Sequence, residues 1–225
     1  MKYFVVPILF GNNMDTLFGI ENDIYIIYNL FYKFHSKYPD DWHKPIFFLN
    51  ENCLIDNIKQ NLNINNSKKK IFLIYFSGHS NSKGFLKFYN ENINSNTILN
   101  YLNKNLNEVC RIYFIIDACY SQNFILNINK NYTFIEKIYF MGSSMDYEKS
   151  KEIEADYDEN MFEELPLEDC NKIIVGIFTL YFVKLLLIRN IEDIIKFKNI
   201  INDKLWKMIS NKFNQTVYYS EILII

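Results

Sequence analysis

Arginine is nearly absent from this 225-residue chain: Arg111 and Arg189 are the only two. Pockets that hold a carboxylate usually do so with guanidinium forks, whose paired donors match its two oxygens, and there is almost nothing here to build one from. Basic runs are missing as well. The longest is Lys68-Lys69-Lys70 and the formal net charge is −2, a balance that leaves no footprint for nucleic acid; the triplet is expected to open a strand. The four cysteines, Cys53, Cys110, Cys119 and Cys170, lie far apart without a CxxC pair, which favours a reducing, intracellular setting and a cytoplasmic location. No apolar run reaches the roughly 20 residues that cross a bilayer. Residues 3–10 follow one lysine, but they contain Pro7, lack a small-residue cleavage site and lead into Gly11-Asn12-Asn13, so they read as a first strand rather than a signal peptide. Residues 173–188 are apolar but short, are broken by Lys184, and read as a buried helix. With neither a repeat nor a linker, residues 1–225 are expected to form one domain.

What is present suits a large core: 49% of residues are hydrophobic and 17% aromatic, enough for one α/β domain. After the first strand, Ile24, Ile27, Tyr28, Phe31 and Phe34 recur at helical spacing over 21–38. Residues 46–49 make a short second strand, and Leu54, Ile55, Ile58 and Leu62 mark a second helix. A polar loop over 63–70 leads into a third strand, and 84–89 suggest a small hairpin. Ile98, Leu99, Leu102 and Leu106 then form a helix that crosses to a fourth strand at 112–116. A fifth strand, 137–141, stops at Gly142-Ser143-Ser144. Residues 146–169 are crowded with carboxylates and have no apolar period, so a mobile surface loop is expected there. Helices over 173–188 and 191–212 follow, and 216–224 alternate as a last strand. Strand, helix, strand, helix, strand is the grammar of a parallel sheet.

Two stretches share one design. Lys70 to Ser80 reads KIFLIYFSGHS and Arg111 to Ser121 reads RIYFIIDACYS: each is a buried apolar strand that ends in chemistry-bearing residues. Ligands bind outside the carboxyl ends of strands in open α/β sheets. Were the two strands neighbours, about 4.8 Å apart, Cys119 and His79 would emerge side by side, as nucleophile and base of a cysteine hydrolase do. Singly, each has a plainer reading, the cysteine as a small buried hydrophobe and the histidine as a solvated turn residue; it is their pairing on successive strand ends that points to chemistry.

Ser77-Gly78-His79 and Asp117-Ala118-Cys119-Tyr120-Ser121 resemble the catalytic signature of metacaspases, within the caspase-like peptidases. The likeness extends along the chain. Leu17-Phe18-Gly19-Ile20-Glu21-Asn22-Asp23 is similar to the family's entry to its first helix, and Leu49-Asn50-Glu51-Asn52 to its Leu-Thr-Asp-Glu. Residues 144–152, SMDYEKSKE, resemble its Ser-x-Asp-x-Gln-Thr-Ser-Ala-Asp. Gly176-Ile177-Phe178-Thr179 resembles its Gly-x-Phe-Thr. Ser80, Tyr120 and Gln122 depart from the usual Gly, His and Gly. The resemblance is to a minimal member without prodomain or long linker.

That resemblance implies a caspase-like α/β fold, a mostly parallel six-stranded sheet with helices on both faces. Residues 1–145 would be a large-subunit-like part, 146–172 an acidic mobile loop and 173–225 a small-subunit-like part. It implies Cys119 as nucleophile, His79 as base, and the N–H groups of Gly78 and Cys119 as oxyanion donors. Asp117, Asp23 and Glu152, with Ser77, would line the pocket for the residue before the scissile bond, and an acidic pocket selects Lys or Arg. Caspases that cut after Asp use arginines, and Arg111 lies at the far end of its strand. Lys149 and Lys151, basic residues in an acidic segment, are candidate self-cleavage sites. No cofactor or metal is expected: between His79 and Asp117 the only acids are Glu91 and Glu108, and there is none between Cys119 and Phe134, too few for the carboxylates that calcium requires. Protein or peptide substrates, no nucleic acid, no membrane and a monomeric state complete the expectation. Two other readings share these residues, a caspase-like pseudoprotease or scaffold and a caspase-fold hydrolase of legumain or gingipain type.

Overall fold

The computed structural model describes residues 3–13, 17–62, 64, 66–156, 172–187 and 204–224. Strand β1 (Tyr3–Asn12) leads to helix α1 (Ile20–Lys37) and strand β2 (Ile46–Leu49). Strand β3 (Lys69–Gly78), the short β4 (Leu86–Lys87) and β5 (Asn92–Ile93), helix α2 (Ser95–Asn105), β6 (Cys110–Asp117) and β7 (Ile135–Gly142) follow. Beyond them are β8 (Glu152–Asp156), β9 (Lys172–Gly176), α3 (Ile177–Leu187), α4 (Lys204–Phe213) and β10 (Tyr218–Leu223). The main sheet has the order β10-β7-β6-β3-β1-β2. Every pairing in it is parallel except that of β10 with β7.

Side-chain alternation divides the core into two layers. Leu9, Leu73, Tyr75, Tyr113, Ile115 and Met141 face one way, toward Ile24, Ile27 and Phe31 of α1, Phe178 and Phe182 of α3, and Trp206 of α4. Phe10, Phe72, Ile74, Phe76, Phe114 and Phe140 face the other, toward Ile58, Phe124, and Ile98 and Leu102 of α2. Both faces are covered, which is why the central strands read as unbroken apolar runs. Helix α1 carries Glu21 in its first turn and Lys37 in its last, charges that complement its dipole. Helix α2 starts where Asn94 Oδ1 accepts from the Thr97 N–H at 2.9 Å, an N-cap that satisfies a donor the helix cannot.

The strand order reverses between β1 and β3, because β2 lies to one side of β1 and the later strands extend to the other. In register, Asn12 stands beside Gly78 and Ser77 beside Asp117. The carboxyl ends of β1, β3 and β6 therefore form one edge at a topological switch point.

Four expectations change. The second helix is two 3-10 turns, Asn50–Asn52 and Ile55–Asn61, and buried Ile55 and Ile58 recur every three residues as that helix requires. The acidic loop expected over 146–172 contains β8, whose Ile153 and Ala155 pack on the α1-side core, while Lys172 begins β9. β8 and β9 pair antiparallel, Glu152 beside Gly176. The helix expected from 173 begins at Ile177 instead, because Ile173 and Val175 point inward while Ile174 is 37% exposed, the period of a strand. Of the helix expected over 191–212, α4 supplies the last part; residues 191–203 lie outside the described ones. Among the described residues no helix is long and apolar enough to cross a membrane.

Candidate active site at the carboxyl edge of the sheet

Ser77 and Asp117 are side by side in the β3–β6 ladder, so His79 and Cys119 each lie two residues beyond a paired position, on adjacent strands. Both are half-buried. The loops that carry them are joined: the Ser80 hydroxyl donates to the Cys119 carbonyl oxygen. The His79 carbonyl in turn accepts from the Lys87 N–H at 2.9 Å, which fixes the backbone on the imidazole side. Gly78 provides the turn into His79. Its φ is +156°, and a Cβ there would lie 2.9 Å from the Phe76 ring and 3.2 Å from the Asn12 carbonyl, so a side chain is excluded twice over.

Three buried serines hold the turn under Cys119. Ser143 Oγ accepts from the Ala118 N–H and lies in hydrogen-bond contact with the Ala118 carbonyl, both at 3.0 Å. Ser144 Oγ donates to that same carbonyl at 2.9 Å and accepts from the Ser121 N–H at 3.0 Å. Ser121 Oγ accepts from the Ser144 N–H at 3.0 Å. Tyr120 sits in the left-handed region, φ 52°, which costs a residue with a Cβ about 1–2 kcal/mol. Its N–H donates to the Glu148 carbonyl at 2.9 Å.

Asp23, Ser77, Gly78, Asp117, Cys119 and Glu152 all line one cavity of about 30 Å³, together with Ser150 and Gly176. The six residues that the resemblance implied for the thiol, one oxyanion donor and the pocket are thus brought together. Asp23 and Asp117 are buried, and each oxygen has a donor. Asp23 Oδ1 accepts from the Gly176 N–H at 2.8 Å and its Oδ2 from Ser77 Oγ at 2.7 Å. Asp117 Oδ1 accepts from Ser150 Oγ at 2.5 Å and its Oδ2 from Thr179 Oγ1 at 2.7 Å. Behind Thr179, Tyr75 shares a 2.5 Å hydrogen bond with the same hydroxyl. Glu152 Oε1 accepts from the Gly19 N–H at 2.7 Å, at the positive end of α1.

Burial, and then the charge of Asp117, push the Asp23 carboxyl well above the ordinary range. Burial raises Asp117 too, against the pull of the Ser150 and Thr179 hydroxyls. Two desolvated acids facing one cavity hold protons tightly until a cation joins them. Burial also raises the Cys119 thiol; the Ser150 N–H and the Lys149 charge oppose that rise.

Glycine at 176 is a condition of this arrangement. A Cβ there would lie 2.3 Å from Asp117 Oδ2 and 3.0 Å from Asp23 Oδ2, inside the space between the acids. Ser150 and Gly176 in the cavity wall, and Thr179 behind Asp117, were not foreseen, although they stand within the two later stretches that resemble the family. The segment 146–151, expected to be mobile, is pinned. Glu148 accepts from the Thr216 N–H and hydroxyl at 2.8 and 2.9 Å. Lys151 donates its N–H to Gln215 and its ammonium to the Phe213 carbonyl, at 3.1 and 2.6 Å. Lys149 is exposed beside the thiol. Arg111 is at the opposite edge of the sheet, paired with Glu136 at 3.1 Å.

No protein-family model matches the sequence, and no curated protein does. Among solved structures, the crystal structure of caspase-1 from Spodoptera frugiperda aligns with a TM-score of 0.57 at 12% identity, over 99% of this chain and 87% of that one. At that identity the likeness is one of fold. The chain has a caspase-like fold: a mostly parallel six-stranded sheet flanked by helices on both faces.

Proposed function

We propose that the protein is a cysteine endopeptidase of metacaspase type that cleaves after Lys or Arg. The observation that carries this reading is the pair of buried, hydrogen-bonded acids, Asp23 and Asp117, in a cavity that also admits the Cys119 thiol. A cation entering there is desolvated against two carboxylates that have already lost their water, and it neutralises their repulsion; an entering carboxylate would add to it. The cavity of about 30 Å³ is small for a Lys or Arg side chain, which on entering displaces the Ser150 hydroxyl from Asp117.

In the reaction, His79 takes the Cys119 proton as the sulfur attacks the carbonyl carbon. The oxygen that gains charge is met by the N–H groups of Gly78 and Cys119. His79 then delivers the proton to the leaving amine, and a water hydrolyses the thioester, freeing the acid and restoring the thiol. Burial, which raises the Cys119 pKa, favours the protonated thiol at rest, so the proton leaves as substrate arrives. The substrate is a protein or peptide, the enzyme acts as a monomer in the cytoplasm, and no metal takes part. Self-cleavage after Lys149 or Lys151 remains part of the proposal; the exposed Lys149 is the better site, since Lys151 must first release Gln215 and Phe213.

The small cavity and raised thiol pKa favour one second reading, a caspase-fold module with little activity. A peptidyl acyloxymethyl ketone ending in arginine separates the two. Rapid labelling lost in Cys119→Ala supports the peptidase, and labelling no faster than that of free cysteine supports the module.

A further inference from the structure

The acid cavity lies against α1 and β9, on one face of the sheet. On the other face, that of α2, is a larger cavity of about 440 Å³, and its walls are the two loops that begin at His79 and Cys119. Ser82, Lys83 and Phe85 come from the first, Leu126 and Asn127 from the second, and Asn94 from the start of α2. The loops are tied together by Asn123 Nδ2, which donates to the Ser82 carbonyl at 2.9 Å, and the floor is the buried Phe124. The groove is therefore formed before anything binds. Within it Leu126 is 50% exposed. Asn94 Nδ2 and the Asn127 carboxamide have no hydrogen-bond partner among the described residues, since the Asn94 oxygen caps α2.

The acid cavity holds the thiol on the α1 side, and the loops that leave His79 and Cys119 wall the groove on the α2 side, so a peptide whose side chain reaches Asp23 and Asp117 has that groove open to the residues that follow. We propose that the α2-face groove receives the peptide segment that follows the scissile bond. Its backbone pairs with the Asn94 and Asn127 carboxamides, and an apolar side chain covers Leu126 and Phe85. This rests on the peptidase reading. The Asn94 amide and the Asn127 carboxamide beside one exposed leucine match an extended peptide, whose backbone needs donors and acceptors and whose side chains alternate in direction.

The test uses two substrates with the same residues up to a cleavable arginine. One continues into a quenched-fluorescence segment rich in Leu and Phe; the other ends in aminomethylcoumarin. Leu126→Asp should lower kcat/KM on the spanning peptide about tenfold, the effect of removing one apolar contact, and change the coumarin substrate less than twofold. Asn127→Gly suits the local φ of +62° and should weaken the spanning peptide alone. Equal effects on both substrates, or none on the spanning peptide, overturn the groove while leaving the peptidase intact. Wild type inert on both substrates overturns the peptidase reading instead. The groove is then judged by fluorescence anisotropy of the labelled spanning peptide on Cys119→Ala: binding weakened about tenfold by Leu126→Asp supports it, and unchanged or undetectable binding overturns it.

Discussion

Replacing Asp23 by Asn should make the substrate-free protein more stable and the enzyme much worse. Asn fits the site: its oxygen still accepts from the Gly176 N–H, and its amide donates to Ser77 Oγ, which reverses its role. A Cβ built at Gly176 lies 2.3 and 3.0 Å from the two Oδ2 atoms, so these are no more than about 5 Å apart. Two full charges at ~5 Å in an effective dielectric of ~20 repel by roughly 3 kcal/mol. The hydroxyl and N–H donors on both carboxylates offset part of this, leaving about 1–2 kcal/mol recoverable, a rise in Tm of about 2–8 °C for a chain of this size. The sign with pH follows. The folded state holds these protons more tightly than the unfolded chain, so stability falls as pH rises from the unfolded pKa, about 3.9, through the raised folded value, and is flat above it. Asp23→Asn should flatten that slope. Against an arginine substrate, losing one of two desolvated partners should cost about 2–4 kcal/mol, roughly 30- to 1,000-fold in kcat/KM. Thermal melts across pH and steady-state assays measure both. A variant that is less stable at pH 8 and cleaves normally would refute the idea of two acids kept in tension for a cation.

Cys119→Ala and His79→Ala should each abolish cleavage with unchanged circular dichroism, because both side chains lie past the ends of their strands and outside the core clusters. Calcium at millimolar concentration should not raise activity, nor EGTA lower it; the described residues contain no group of three or more His, Cys, Asp or Glu able to hold an ion, and a several-fold activation would reveal a site elsewhere. On long incubation, the purified enzyme should be cut after Lys149 before Lys151, and mass spectrometry that finds the reverse order, or an intact active chain, counts against the self-cleavage proposal.

The central strands were legible because both faces are buried, which leaves apolar runs such as Ile71 to Phe76 too β-branched and aromatic for helices. The candidate site was marked at Ser77-Gly78-His79 and Asp117-Ala118-Cys119 because they stop those runs abruptly. The β8–β9 ribbon was hidden for opposite reasons in its two strands. In β8 only Ile153 and Ala155 are apolar among Glu152, Glu154 and Asp156, so the acids masked the alternation. In β9 the residues run straight into the apolar α3, and Ile173, Ile174 and Val175 show no polar face from which to read a period. Ser150 and Thr179 were missed as partners of the pocket acid because Asp117 is 33 and 62 positions away in the chain. Hydrogen bonds at that range are set by the fold, and hydroxyl residues carry no mark of them.

The most direct measurement is the rate of hydrolysis of three otherwise identical peptides with Arg, Lys or Asp before the scissile bond, by wild type and by Cys119→Ala. Cleavage by wild type after Arg and Lys, at least ~100-fold slower after Asp as expected for a buried pair of acids, and no turnover by the variant is the expected result. Comparable cleavage after Asp, or turnover by Cys119→Ala, would contradict it.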